Sequence, residues 1–298
     1  MSSQIIQPSS PVRGSKAAAP SPVFSPSAAP LGGVEFDQFA LGGPESWPEC
    51  MSDEMHAAVT AGDAEAVAAL LANKENVEAR TKFGESPLHR AVRGGAAGVV
   101  DVLLGAGAEI DGRDEFGKTA LMTLCGTRSR KYGKDHLECA GKLLAAGADP
   151  TATDLKQGTA LARAAREGHT TIAASLLKAG ALPDSKDTSG RTPLLQAAGG
   201  GSGNVIKLLL KTDAMAKYRK HAVAKVNTTD ATKKSALMLA AASKNLEGVT
   251  ALLLAGADPF LEDEDGKLAV NYCRKCKDVE EKIQGAMARG NGGGKKKK

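Results

Sequence analysis

A large apolar residue returns along this chain at an almost constant spacing. The anchor positions are Met55, Leu88, Leu121, Leu161, Leu194, Leu237 and Val270. Four of the six intervals between them are 33 residues long, and the other two are 40 and 43. In five units an apolar pair follows the anchor at +15 and +16: Leu70-Leu71, Leu103-Leu104, Leu176-Leu177, Leu209-Leu210 and Leu252-Leu253. Repetition at a fixed period indicates one structural unit used about seven times.

The pattern inside each unit predicts two short helices. Between the anchor and the apolar pair, an alanine-rich run such as Ala162-Arg163-Ala164-Ala165 is followed by a glycine, as at Gly168, and then by a second apolar run. Alanine favours helix and glycine interrupts it, so the unit is read as two helices joined by a tight turn. In four units a further glycine, as in Gly147-Ala148-Asp149, is predicted to end the second helix in a left-handed conformation.

Turn motifs precede the helices at the same period. The segments Asp114–Thr119 and Asp187–Thr192 read DEFGKT and DTSGRT, and Ser86–His89 reads SPLH. Together with the helix pattern, these motifs resemble the ankyrin repeat, whose period is 33 residues. The resemblance implies an all-α solenoid of about seven helix-turn-helix units with short β-turn fingers. In the sixth unit Lys233 replaces the turn glycine, which predicts a distorted or mobile finger.

The resemblance covers roughly residues 55–288 and divides the chain into three parts. We predict an ankyrin-repeat domain over residues 51–288, preceded by a disordered tail over residues 1–50 that is rich in proline, serine and alanine. A basic flexible tail over residues 289–298 follows it. This last segment is interpreted either as a solvated end or as a patch for nuclear import or an anionic surface.

Composition favours a protein that works inside the cell. No apolar stretch approaches the roughly 18 residues that a membrane span requires, and the first ten residues lack the features of a secretory signal. The five cysteines, an odd number, favour reduced thiols. The net charge of +5 equals the charge of Arg289 and Lys295–Lys298 together, so nucleic acid is not the expected partner of the remaining, neutral chain. We predict a cytoplasmic location, with the nucleus as the alternative.

The first 50 residues contain eight of the 13 prolines. Ser10, Ser21 and Ser25 each precede a proline, so they are candidate sites of regulatory phosphorylation by proline-directed kinases. Three of the six phenylalanines and the only tryptophan lie within residues 24–47. This aromatic stretch is interpreted either as a strap that packs on the first repeat or as a docking motif for another protein.

Motifs of catalytic or metal chemistry are weak. The glycine-rich stretch Gly199–Gly203 lacks the continuation of a phosphate-binding loop and falls where the repeat turns between its helices. Cys273 and Cys276 form one CxxC motif without a second pair, which is a poor zinc site. Four histidines occupy repeat positions with structural roles: His56, His89, His136 and His169. We therefore expect no enzymatic activity, no cofactor and no bound metal.

The family resemblance implies that partners contact the variable positions of the fingers and the ends of the first helices. Phe83 and Phe116 occupy the same position in adjacent units, which predicts an aromatic binding anchor on neighbouring fingers. The alternative is that each ring only covers the next finger. The predicted contact residues are Lys82, Phe83, Glu85, Arg93, Glu115, Phe116, Lys118, Lys156, Arg166, Glu167 and Arg191.

The third unit is seven residues longer than the period, within residues 126–134. This insertion adds the candidate contact residues Arg128, Arg130, Lys131, Tyr132 and Lys134. It is predicted to leave the first helix on the side of the fingers. Four cations and a tyrosine beside two phenylalanines suit an acidic or phosphorylated peptide with an apolar anchor. A solvated loop is the alternative.

A second insertion of ten residues falls within residues 211–225. Ala214, Met215, Tyr218 and Ala222 recur at helical spacing, so the segment is predicted to lengthen the second helix of the fifth unit. Its basic face is interpreted either as a solvated helix end or as a contact for an acidic partner or a phosphoinositide.

The combined prediction is a non-catalytic adaptor or scaffold, monomeric on its own, that binds a partner protein through the groove and the fingers. A regulatory subunit of an enzyme complex is one alternative. The other is a binder of an anionic ligand, either nucleic acid or phosphoinositide, held by the basic insertions.

Overall fold

The computed structural model describes residues 50–128, 133–211, 226–273 and 276–292, which form a stack of seven helix pairs, here called repeats 1–7. The first six pairs are α1 (Asp53–Ala61) with α2 (Ala64–Ala72), α3 (Pro87–Gly94) with α4 (Ala97–Gly105), α5 (Ala120–Cys125) with α6 (Lys134–Ala145), α7 (Ala160–Glu167) with α8 (Thr170–Lys178), α9 (Pro193–Gly199) with α10 (Gly203–Leu210), and α11 (Ala236–Ala242) with α12 (Leu246–Leu254). A 3-10 helix (Ala269–Tyr272) and α13 (Lys277–Gly292) form the seventh. The described part contains isolated β-bridges and no sheet, so the predicted all-α solenoid is confirmed.

The first α-helix of each of repeats 1–6 begins after a serine or threonine. In each case the hydroxyl accepts a hydrogen bond from the backbone N–H three residues later; the capping residues are Ser52, Ser86, Thr119, Thr159, Thr192 and Ser235. Such a cap satisfies one of the backbone donors that a helix start leaves free. Pro87 and Pro193 then occupy the first helical position, where no N–H is needed. The recurring TPL and SPLH motifs are therefore helix starts.

The helices form two layers. The first helices of successive repeats pack against one another as an inner layer, and the second helices pack as an outer layer. Six of the seven predicted anchors, from Met55 to Leu237, are at most 1 % exposed between the layers, while Val270 in the terminal repeat is partly buried. Four glycines that follow the outer helices, Gly107, Gly147, Gly180 and Gly256, have φ between +86° and +100°, as the pattern predicted.

The two insertions interrupt this order differently. In repeat 3, α5 ends at Cys125 and α6 begins at Lys134, so the first insertion follows the inner helix, as predicted. Residues 129–132 lie outside the described residues, and the side on which the insertion leaves stays a prediction. The prediction that the second insertion lengthens the outer helix of repeat 5 is wrong. Helix α10 ends at Leu210 because Lys211 takes an extended conformation with ψ of 111°. Residues 212–225 lie outside the described residues.

The predicted division of the chain at residues 50 and 288 stays a prediction. Helix α13 continues to Gly292, and residues 1–49 and 293–298 lie outside the described residues. None of the described helices is long and apolar enough to span a membrane. The five cysteines all lie within the described residues and are free thiols.

Candidate protein-interaction surface

A turn of five residues, here called a finger, precedes the first helix of each of repeats 2–7. The fingers are residues 81–85, 114–118, 154–158, 187–191, 230–234 and 263–267. In five of them an aspartate at the first position accepts hydrogen bonds from the backbone N–H groups two and four residues later, at 2.7–2.9 Å. In the first finger the Thr81 hydroxyl does the same at 3.2 and 3.3 Å. One side chain thus closes each turn.

The fourth residue of each finger is in the left-handed region. Four fingers have glycine there, and the other two have Gln157 and Lys233, with φ of 58° and 57°. The prediction of a distorted finger in repeat 6 is wrong, because Asp230 accepts the same two hydrogen bonds there as the aspartates of the other fingers. The side-chain bonds hold Lys233 in a conformation that costs a non-glycine residue about 1–2 kcal/mol.

Backbone hydrogen bonds join the fingers into a row. The carbonyl of the third residue of one finger accepts from the N–H of the second residue of the next, at 2.9–3.3 Å. The five bonds join Phe83 to Glu115, Phe116 to Leu155, Lys156 to Thr188, Ser189 to Ala231 and Thr232 to Glu264. Each finger is therefore fixed both internally and to its neighbour.

Three consecutive fingers expose apolar side chains on this row. Phe83 and Phe116 are 50 % and 51 % exposed, and Leu155 is 40 % exposed. The first two lie at the same position of neighbouring fingers, as the sequence predicted, and Leu155 follows on the third. We call these three residues the finger row. Their half-exposed side chains rest partly on the stack and partly face solvent.

Two lysines lie over the rings of the finger row. The Lys82 Nζ atom is 5.1 Å from the centroid of the Phe83 ring, and the Lys118 Nζ atom is 4.4 Å from that of Phe116. A cation at this distance is attracted to the negative face of an aromatic ring. Four predicted contact residues of the fingers, Lys82, Phe83, Phe116 and Lys118, therefore lie on two neighbouring fingers in one patch.

The structure places Glu85 differently from the other predicted contacts. Its side chain is buried, and its carboxylate accepts hydrogen bonds from Arg93 and from Arg90, the latter at 3.3 Å. Arg93 also donates a second bond of 3.1 Å. Glu85 thus fixes the Arg93 guanidinium, whose side chain remains about half exposed beside the fingers.

A small cavity of about 110 Å³ lies between repeats 4 and 5, behind the fingers. Its lining includes the predicted residues Lys156 and Arg166 together with Arg163, Asp154 and Asp187. Arg163 pairs with the buried carboxylate of Asp154, so it braces the finger to α7. The role of Arg163 was not predicted from the sequence. Arg163 lies nine residues after the finger aspartate Asp154, and Gln196, which bonds to Asp187, has the same spacing; this shared spacing is the signal in the sequence.

The remaining predicted contacts are dispersed. Arg166 pairs with Glu167 at 3.1 Å, and Arg191 lies 3.6 Å from the Asp230 carboxylate. Glu115 is partly buried, and Arg128 and Lys134 are exposed at the two ends of the first insertion. Three insertion residues lie outside the described residues: Arg130, Lys131 and Tyr132. So do Ser10, Ser21, Ser25 and the aromatic stretch of the first 50 residues.

Histidines connect neighbouring repeats below this surface. The Nε2 atom of His89 is 2.8 Å from the carbonyl oxygen of Lys118, and that of His169 is 2.6 Å from the carbonyl oxygen of Thr127. A carbonyl only accepts, so Nε2 donates in both cases. Burial lowers the pKa of both His89 and His169, which keeps the rings neutral. The structural role predicted for these histidines agrees with these contacts.

Nucleophilic and metal chemistry has little support in the described part of the chain. Burial raises the pKa of Cys125 to about 12 and that of Cys139 to about 11, so neither thiol forms a thiolate near neutral pH. The described residues contain no group of three or more potential metal ligands. An open face of stiff loops with exposed rings and cations is instead typical of a helical repeat protein that binds other proteins.

A family model described as "Ankyrin repeats (3 copies)" matches residues 55–154, 128–220 and 161–263. The matches together span more than half of the chain, so the protein belongs to the ankyrin-repeat family, as its turn motifs predicted. Domains of this family generally mediate protein–protein interaction and are typically not enzymes.

Solved structures share the fold. The human ASB11 ankyrin repeat domain is 23 % identical, with a TM-score of 0.67, and the match covers 79 % of this chain and 98 % of that domain. The ankyrin repeat domain of Bcl-3, a member of the IkappaB protein family, is 28 % identical with a TM-score of 0.59, and the match covers 79 % of this chain and all of that domain. No curated protein sequence matches the chain significantly.

Proposed function

We propose that this protein is a non-catalytic adaptor that binds a partner protein through the finger row and the neighbouring ends of the inner helices. The observation that supports this most is the pair of half-exposed rings, Phe83 and Phe116, on adjacent fingers. Each ring still has about half of its surface to bury, which contributes roughly 1 kcal/mol or more on binding. The fingers are already fixed by hydrogen bonds, so little ordering entropy opposes association.

The charges around the finger row favour an acidic or phosphorylated segment of the partner. Lys82 and Lys118 lie on the two rings, and Lys156 adds an exposed cation on the next finger. Arg93 and Arg166 stand at the ends of inner helices and already pair with Glu85 and Glu167. A partner with an apolar side chain between carboxylates or phosphates would contact the rings and these cations together.

Affinity purification with mass spectrometry tests the proposal. Wild-type protein is compared with Phe83→Ala/Phe116→Ala and with Phe260→Ala, a matched control whose ring is 41 % exposed outside the fingers. We expect a set of partners that the wild type and Phe260→Ala recover equally and that the double variant recovers at a level reduced about tenfold or more.

A charge-reversed variant, Lys82→Glu/Lys118→Glu, tests the partner class. We expect it to lose the same partners, and we expect wild-type recovery to fall as salt rises, because exposed charges are screened. Equal recovery by the wild type and the double phenylalanine variant rules out the finger row as the binding surface. Loss in the phenylalanine variant but not in the lysine variant retains the surface and rejects the acidic partner.

A further inference from the structure

Leu254 is the most exposed of the large apolar side chains in the described residues, at 85 %. It ends α12, directly after the apolar pair Leu252-Leu253 that packs on the stack. The position after this pair is exposed in every repeat where the pair occurs, and the equivalent residues are Ala72, Gly105, Lys178 and Lys211. Repeat 6 alone among these five places a leucine there. The repeat fold itself therefore gives no reason for this side chain.

Two recesses flank Leu254 on the outer layer. One, of about 750 Å³, lies between α10 and α12 and is lined by Leu210, Leu246 and Ala251 among others. The second, of about 480 Å³, lies between α12 and α13 and includes Leu253 and Ala286. Leu254 and Thr250 line both, so the two recesses adjoin each other at the last turns of α12. We call this surface of repeats 5–7 the outer groove.

Most of the charged residues at the outer groove are positive. Its described lining residues include four cations, Lys207, Lys211, Lys282 and Arg289, and a single carboxylate, Glu247. That carboxylate is already paired, with its Oε1 atom 2.6 Å from the Lys207 Nζ atom. The apolar floor is therefore bordered by cations on both sides.

We propose that the outer groove binds an amphipathic helix of a partner protein whose apolar stripe is bordered by acidic residues. Leu246 and Leu254 are eight residues apart, or about 12 Å along α12, which matches about two turns of a docked helix. Large aliphatic side chains at positions i, i+4 and i+8 of the partner's helix enter the recesses on either side of Leu254. Glutamates of the same helix, beside these positions, face Lys211, Lys282 and Arg289.

The form of the surface favours a helix over a membrane. The described lining contains no aromatic residue, whereas membrane-binding faces commonly carry tryptophan or phenylalanine. A flat lipid surface would also leave the two recesses unfilled, and side chains of a helix can enter them. The proposal concerns a surface in other repeats than the finger row, so either site can fail without the other.

The test uses the full chain and two labelled designed peptides of about 16 residues. Both form helices with leucines at i, i+4 and i+8; one carries glutamates beside the leucines and the other carries lysines. Fluorescence anisotropy measures binding to the wild type, to Leu254→Ser, to Lys211→Glu/Lys282→Glu, and to the control Phe83→Ala/Phe116→Ala. Leu254 is exposed, so Leu254→Ser keeps the fold, which thermal unfolding verifies.

We expect the acidic peptide to bind the wild type and the phenylalanine control equally, and to bind Leu254→Ser and the charge-reversed variant about tenfold or more weakly. The lysine peptide binds the wild type more weakly than the acidic one. Equal binding of the two peptides, or loss in the phenylalanine control instead of Leu254→Ser, overturns the proposal. Two further results would also overturn the proposal, because they show a different occupant of the outer groove. One is a concentration-dependent dimer that Leu254→Ser abolishes, and the other is binding to anionic vesicles that excludes the acidic peptide.

Discussion

The finger row of repeats 2–4 and the outer groove of repeats 5–7 expose apolar side chains in two different ways. Phe83 and Phe116 stand on loops whose backbone is held by side-chain oxygens and by bonds to the next finger. Leu254 ends a helix and stands between recesses that other helices form. The fingers present a stiff edge, whereas the outer groove offers a cleft. One stack of repeats thus offers two surfaces that share no residue.

The substitution with the largest expected effect weakens the contact between the repeats that carry the finger row and the repeats that carry the outer groove. A Cβ atom on Gly200 would lie 2.0 Å from the carbonyl oxygen of Arg166, which is backbone and cannot rotate away. We expect Gly200→Ala to cost about 3 kcal/mol or more at the contact between repeats 4 and 5. Urea unfolding should show a lower midpoint, with repeats 1–4 and 5–7 unfolding in separate steps.

Gly199 supplies the matched control for that change. It ends α9, and a Cβ there meets no atom within 4 Å. We expect Gly199→Ala to leave the midpoint unchanged or raise it, because alanine favours helix by up to about 1 kcal/mol over glycine. A Gly200→Ala protein as stable as Gly199→Ala would show that the contact is looser than the structure indicates.

Substitutions at Asp154 change one finger and leave the residues of the outer groove unchanged. Alanine there leaves the N–H groups of Lys156 and Gly158 without their acceptor and removes the partner of Arg163. We expect Asp154→Ala to lower the free energy of unfolding by about 2 kcal/mol. Asp154→Asn, which keeps an acceptor oxygen, should cost less than half as much. Binding of the acidic peptide at the outer groove should stay at the wild-type level in both.

Acidification should weaken the repeats below the finger row. Burial lowers the pKa of His89 and of His169 below the ordinary value near 6.5, so the unfolded chain binds protons at a pH where the folded protein does not. The stability from the neutral rings is complete above about pH 6.5 and is lost as pH falls towards the folded pKa. The loss is about 1.4 kcal/mol for each unit of lowering.

Thermal unfolding between pH 7.5 and 5 measures this loss. We expect the double variant His89→Asn/His169→Gln to have a flatter dependence on pH than the wild type, because neither replacement titrates while both retain a donor. His56→Gln, at a partly exposed position of repeat 1, is the control for replacing a histidine that makes neither of these two contacts. Identical slopes for all three proteins would remove the histidines as the cause.

The smallest effects concern the exposed side chains themselves. Phe83→Ala and Phe116→Ala should each lower the free energy of unfolding by about 1 kcal/mol or less, because the rings are only half buried. Leu254→Ser should change it by less than about 0.5 kcal/mol. Chemical denaturation measures both. A loss near the 3–5 kcal/mol typical of core phenylalanines would mean that the fingers need the rings for folding.

The period of the sequence predicted the fold and the positions of Phe83 and Phe116 because both depend on local pattern. The finger turn fixes where Phe83 and Phe116 stand, so their exposure follows from their place in the repeat. Ion pairing of side chains and the backbone conformation of single residues were harder to predict. Glu85 was expected at the surface, but ion pairs with Arg90 and Arg93 hold it inside, and helical spacing after Leu210 did not reveal the extended Lys211.

The exposure of Leu254 was also not predicted from the sequence. The sequence presents it as one more leucine in a helical run, and only the packing of α10, α12 and α13 around it reveals that it faces solvent between two recesses. A comparison of the position after the apolar pair across the repeats could have marked it, because the equivalent residues are small or charged.

The most direct test of the finger row as the protein's binding surface is a titration of a purified partner recovered with the wild-type protein. Calorimetry gives its Kd for the wild type, for Phe83→Ala/Phe116→Ala and for Leu254→Ser, and the unfolding midpoint of each protein is measured alongside. We predict a Kd raised about tenfold or more in the phenylalanine variant and a wild-type Kd for Leu254→Ser, with all three proteins folded. The same Kd for the folded phenylalanine variant and the wild type would contradict the assignment.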